Sequence, residues 1–121
     1  MILLSRKTYQ TFCLSLMVAS LFITQHTFAN PVEKGKALYA TCNACHGPQG
    51  LGNKALNSPA IATQEAWYLK RQLKNFKAGI RGTHPKDTYG AQMRPMSMTL
   101  ANDEAIDQVI AYISTFKAQR N

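Results

Sequence analysis

Cys42-Asn43-Ala44-Cys45-His46 decides how this chain is read. Two cysteines separated by two residues, with a histidine directly after the second, form the C-x-x-C-H pattern of covalent haem attachment. The spacing has a chemical reason. Two thiols add across the two vinyl groups on one edge of a porphyrin. The residue after the second thiol then lies beneath the iron and presents its imidazole. Changing the loop length or replacing His46 breaks that arrangement. Cys42 and Cys45 are therefore the expected thioether anchors, and His46 the expected proximal iron ligand. A haem held between a proximal His and a distal Met has both axial positions filled and a raised potential, which suits electron transfer.

C-x-x-C without the histidine is weaker, because it also occurs in redox-active dithiols and zinc sites. A thioredoxin-like reading needs a strand–helix pattern around the cysteines, and none is present. A zinc site would have to combine Cys42, Cys45, His46 and His84, a spacing that fits no common zinc module. A disulfide between Cys42 and Cys45 would be geometrically tight.

Upstream, the chain carries an address. Arg6 and Lys7 form a basic region, Phe12 to Ile23 an apolar run, and Thr27-Phe28-Ala29 a small-x-small cleavage site. This is a secretory signal peptide spanning residues 1–29, cleaved after Ala29. The apolar run is short for a membrane span of about 20 residues, so no stable membrane insertion is expected once it is removed. Cys13 follows Phe12 inside the apolar run and does not resemble a lipoprotein cleavage site. Export to the periplasm agrees with haem attachment, which in bacteria takes place outside the cytoplasmic membrane.

Residues 30–121 then form a single domain. A chain of about 90 residues is marginal on apolar burial alone, and a covalently held haem would complete its core. The chain carries 14 Lys and Arg against 6 Asp and Glu, a formal charge of +8. Losing Arg6 and Lys7 leaves it basic. A basic surface predicts redox partners with an acidic patch, drawn in by long-range attraction. Nucleic acid is not the expected partner, because the chain is exported and carries no nucleic-acid-binding motif.

Three helices are predicted, joined by Gly-, Pro- and Asn-rich loops. The first runs from about Pro31, suited to a first helical position, to Cys42. Gly35 is costly inside it and implies a close crossing with another helix. The loop Gly47-Pro48-Gln49-Gly50-Leu51-Gly52-Asn53 is irregular. The second helix runs from about Gln64 to Ala78, with Ala66, Leu69, Leu73, Phe76 and Ile80 on its apolar side. Its Lys70, Arg71, Lys74 and Lys77 read first as a solvated face and second as a docking surface. The third runs from about Asn102, a cap, to Phe116. Ile106, Val109, Ile110 and Ile113 form its stripe, and Lys117 and Arg120 suit its C-terminal end. No segment reads as a strand, so the fold class is all-α.

On Gly35 to Gly47 and Asp103 to Ile113 the chain resembles the class I cytochrome c family over essentially all of residues 30–121. Tyr68 to Arg81 is most similar to small bacterial mono- and dihaem carriers of the c4, c5 and c553 kind. The resemblance implies the cytochrome c fold, three main helices and loops wrapped around one covalent haem c. It implies that Gly35 and Tyr39 of the first helix meet Tyr112 of the last. It places the distal ligand among Met93, Met96 and Met98, on a loop before the last helix. Met96 matches best, because it follows Pro95 at the family's distance from the final helix, and Met93 is the alternative. The acceptor that orients His46 would be the carbonyl of Pro59, with Pro48 the alternative. His84 reads as a loop histidine.

The expected function is that of a periplasmic monohaem one-electron carrier between respiratory partners, not an enzyme. The partners would be oxidase, reductase or dehydrogenase subunits. The alternatives are a tightly bound cytochrome subunit of an oxidase or dehydrogenase, or a haem peroxidase or gas sensor with an open distal site.

Overall fold

The computed structural model describes residues 30–118, with side chains described through Phe116. The expected signal peptide and Arg120 lie outside the described residues. The fold is all-α: helices α1 (Pro31–His46), α2 (Ala66–Lys77), α3 (Thr88–Met98) and α4 (Asp103–Ala118), with a 3₁₀ turn at Lys54–Leu56. Among the described residues no strand forms, and an isolated bridge pairs Asn53 with Ser58.

Local chemistry explains the helix ends. Asn30 Oδ1 accepts from the Val32 N–H at 3.0 Å and Pro31 enters the first turn, so α1 starts where expected. It does not stop at Cys42. The helix carries the whole C-x-x-C-H motif and ends at Gly47, whose φ of 77° leaves the helical region. At α4, Asn102 Oδ1 accepts from the Ala105 N–H at 2.9 Å, with Asp103 and Glu104 in the first turn. These are the acceptor and the charges that a helix N-terminus favours.

The core lies where α1 crosses α4. Ile106, Val109, Ile110 and Ile113 are all buried, joined by Tyr39, Leu69, Leu100, Ala105 and Phe116. Gly35 makes the crossing close: a Cβ there would collide with the Gln108 carbonyl and lie 2.9 Å from Tyr112 Cβ. One turn later, Tyr39 meets Tyr112 edge-on at 5.4 Å between ring centroids. Phe116, absent from the expected cluster, completes it at 5.2 Å from Tyr39 and 5.0 Å from Tyr112.

Two expectations need correction. The Met-bearing segment is not a loop but helix α3. Gly90 and Pro95 argue against a helix in the sequence. The fold forms one because Asp87 caps its start and α2 supports its far end. There the Lys77 ammonium donates to the Ser97 carbonyl at 3.5 Å and also to that of Leu100. A cation suits those C-terminal carbonyls.

The second correction concerns α2. Leu69 and Phe76 are buried and Leu73 half-buried, but Ala66 is exposed and Ile80 is 72% exposed. The chain turns at Gly79 after the helix has ended, taking Ile80 off the stripe. The basic side of α2 is largely occupied from within: Lys70 reaches Asp107 at 2.6 Å and Lys74 reaches Asp103 at 2.7 Å. The Lys74 hydrogen bond holds the Asp103 carboxyl below its ordinary range. These pairs are exposed, so screening keeps them weak, but they align α2 along α4.

Replacing Gly35 by Ala is expected to cost about 1–3 kcal/mol, the range for overpacking a tight contact; denaturant unfolding of the haem-loaded protein measures it. A second expectation concerns Tyr39, whose phenol is pushed up to about 12, first by burial. Its folded pKa therefore exceeds the unfolded value of about 10, so its stabilisation is whole below that value and is lost as pH rises toward 12. The unfolding midpoint should fall across that window, and should fall less in Tyr39→Phe.

Candidate haem site

α1 delivers His46 as its last residue, 8% exposed, beneath the loop that follows. That loop folds back on the helix end. The Gly52 N–H donates to the His46 carbonyl at 2.9 Å, and the Gly50 carbonyl accepts from Ile61 and Ala62 at 2.8 and 3.0 Å. The return brings the Pro59 carbonyl to the imidazole, where His46 Nδ1–H donates to it at 2.8 Å. Pro48 is exposed and does not make this bond. With Nδ1 carrying the proton, Nε2 keeps its lone pair free for a metal.

Gly52 makes the return possible. Its φ is +82°, and a Cβ would sit 2.7 Å from Ser58 O, Pro59 C and Ala60 N. Tyr39 joins the core to this corner, its hydroxyl donating to the Gly47 carbonyl at 2.6 Å. Cys42 is half-buried and Cys45 exposed, and both are free thiols. Burial, the first cause, pushes the Cys42 thiol up.

The methionines lie along α3. Gly90 and Ser97 are its buried positions, with Arg94 half-buried between them. At 100° per residue Met93 flanks this stripe, and Met96 lies one turn further on the same side. Met93 is half-buried, Met96 is 39% exposed and Met98 52% exposed. His84 is exposed in the loop before α3, its Nδ1 accepting from the Lys86 N–H at 3.1 Å. Among the described residues, no three or more His, Cys, Asp and Glu side chains group as a metal site by themselves. The sequence reading did not single out Asp87, Phe116 or Arg94. Arg94 Nε is buried with no hydrogen-bond partner.

Two thiols and a carbonyl-tethered imidazole at one helix end, in an all-helical chain whose first and last helices cross at a glycine, define a class I c-type cytochrome. The family model for cytochrome c matches residues 32–117, and the chain belongs to that family. It is 34% identical over 88 residues to cytochrome c4 of Azotobacter vinelandii, covering 73% of this chain and 40% of that protein. It is 34% identical over 87 residues to cytochrome c-554(548) of Halomonas halodenitrificans, covering 72% of this chain and 98% of that one. It is also 38% identical over 73 residues to a thiosulfate dehydrogenase electron acceptor of Stutzerimonas stutzeri, covering 60% and 31%. The chain thus spans less than half of cytochrome c4 and nearly all of cytochrome c-554(548).

The family implies covalently bound haem c, and the residues present fit it. The imidazole is held in the ligating tautomer, and the thiols are unpaired. Large apolar side chains stay exposed on the loop after the motif and on α3, Leu51, Leu56 and Met96 among them, surface of the kind a porphyrin covers. Arg94 Nε is a buried donor that suits a carboxylate.

Replacing Gly52 by Ala should displace the Pro59 carbonyl and weaken its bond to His46. The expected result is a loss of about 1–3 kcal/mol from overpacking and backbone strain. The midpoint potential should also rise, because an imidazole without its acceptor donates less to iron. Denaturant unfolding and a potentiometric titration check the two parts.

Proposed function

We propose that this protein is an exported carrier of single electrons, with one haem c per chain, acting in the periplasm between respiratory redox proteins. The observation that carries this reading is the His46–Pro59 hydrogen bond on the same helix end as the two free thiols of Cys42 and Cys45. When bound, the haem supplies the one-electron couple of its iron. The protein's part is to hold that group still. Cys42 and Cys45 would anchor it, His46 Nε2 would hold its iron, and the Pro59 carbonyl keeps the imidazole from turning. An imidazole held fixed in this way would keep reorganisation small between the two redox states.

For the distal ligand we propose Met96, as the sequence resemblance ranks it, with Met93, one turn earlier on the same side of α3, the alternative.

The partner reading rests on charge. Lys34, Lys70 and Lys74 pair with Glu104, Asp107 and Asp103. The positive surface left over therefore comes from other residues. Arg71 stacks 4.8 Å from the centroid of the exposed Trp67 ring, and Lys36, Lys54 and Lys86 make no salt bridge among the described residues. An acidic surface on an oxidase, reductase or dehydrogenase subunit is the matching partner, and the relative named as accepting electrons from thiosulfate dehydrogenase supports a dehydrogenase. Among the described residues no helix is long and apolar enough to cross a membrane.

The test is the optical spectrum of the ferric, haem-loaded protein. A weak far-red charge-transfer band from Met sulfur on iron is expected, lost in Met96→Ala and kept in Met93→Ala. The reverse pattern moves the ligand to Met93. A wild-type protein without the band and with a high-spin spectrum would replace the carrier reading with an open-site one.

A further inference from the structure

Asp87 stands just before α3, and its two carboxylate oxygens do different things. Oδ1 accepts from the Gly90 N–H at 2.9 Å and so caps the helix. Oδ2 accepts from the Gly82 N–H at 3.0 Å, which belongs to the loop leaving α2. The two backbones are in contact: a Cβ on Gly82, whose φ is +76°, would run into the Gly90 carbonyl. A Cβ on Gly90 would run into the Asp87 carboxylate. There is no room for a side chain between loop and helix, and the carboxylate is the polar pin that joins them. Lys77 of α2 holds the opposite end of α3 through the Ser97 and Leu100 carbonyls. Met93 and Met96 lie between the two fixed ends.

We propose that Asp87 is a positioning residue for the distal thioether: by tying α3 to the Gly82 loop it fixes the helix that presents the methionine to iron. This rests on the thioether ligation argued under Proposed function. A thioether is a soft, neutral ligand that competitors displace when it can swing away. A competitor's apparent affinity rises with the fraction of molecules in which the site is open. Charge-assisted bonds from backbone N–H groups to a carboxylate are strong for their size, so losing one of them frees the helix end measurably.

Asp87→Asn separates the tie from the cap. One amide oxygen still accepts from Gly90 N–H, but the amide nitrogen cannot accept from Gly82 N–H. The experiment titrates exogenous imidazole into ferric haem-loaded protein and follows loss of the far-red band. Asp87→Asn is expected to bind imidazole about tenfold more tightly than wild type, from one lost charge-assisted bond. Its helix content should stay unchanged. Asp87→Ala, which loses both bonds, should shift further in the same direction. Unchanged imidazole affinity in Asp87→Asn, with the band present in wild type, overturns the inference alone. So does a lowered unfolding midpoint without a change in affinity, which would reduce Asp87 to a cap. A wild-type protein lacking the band overturns the thioether reading and this inference with it.

Discussion

The backbone contact between Gly35 of α1 and Gln108 of α4 is the constraint on which the rest of the structure depends. It brings two helices together at a separation that no side chain could share. Tyr39, Tyr112 and Phe116 then close edge-to-face beside it, an arrangement aromatic rings favour beyond their burial. Since α1 ends at His46, the crossing also decides where the motif sits relative to the core. The Tyr39 hydroxyl carries that placement one step further by holding the Gly47 carbonyl at the corner where the helix stops.

From that corner outward the chain is organised around holding one imidazole and one helix. The loop after Gly47 returns through Gly50 and Gly52, and its purpose in physical terms is to bring a carbonyl, that of Pro59, to His46 Nδ1. On the other side, α2 acts as a brace. Its lysines reach α4 through Asp103 and Asp107, its Lys77 reaches the end of α3, and the loop after it meets α3 through Asp87. Much of the positive charge on α2 is therefore used in assembling the helices, and the surface offered to another protein is basic through other residues.

Elements whose signals are local were readable in the sequence. Asn30 and Asn102 cap because their short side chains reach the next free N–H groups. The stripe Ile106, Val109, Ile110 and Ile113 is buried because its period matches the helix. α3 was not readable, because Gly90 and Pro95 disfavour a helix locally and what offsets them, Asp87 tied to Gly82 and Lys77 at the far end, arrives from other parts of the chain. Ile80 fits the α2 period yet is exposed, since the turn at Gly79 ends the helix before the period is complete. Phe116 marks the end of the last helix in the sequence and carries no local sign of being core, because its partner Tyr39 is remote in sequence.

By itself the sequence determined the all-α class, the C-x-x-C-H spacing of Cys42, Cys45 and His46, and the glycine at the crossing, because spacing and residue type alone specify these. Resemblance added Pro59 and the choice among the methionines. Only the tertiary structure decided that the motif rides on the last turn of α1, and that the Pro59 carbonyl lies 2.8 Å from His46 Nδ1. It also decided that the methionines stand on a helix pinned at both ends. The reason is physical: a local pattern states which groups are available, whereas distances between groups far apart in the chain are set by which backbones can touch. Here that is governed by Gly35 against Gln108, Gly52 beneath Pro59, and Gly82 against Gly90.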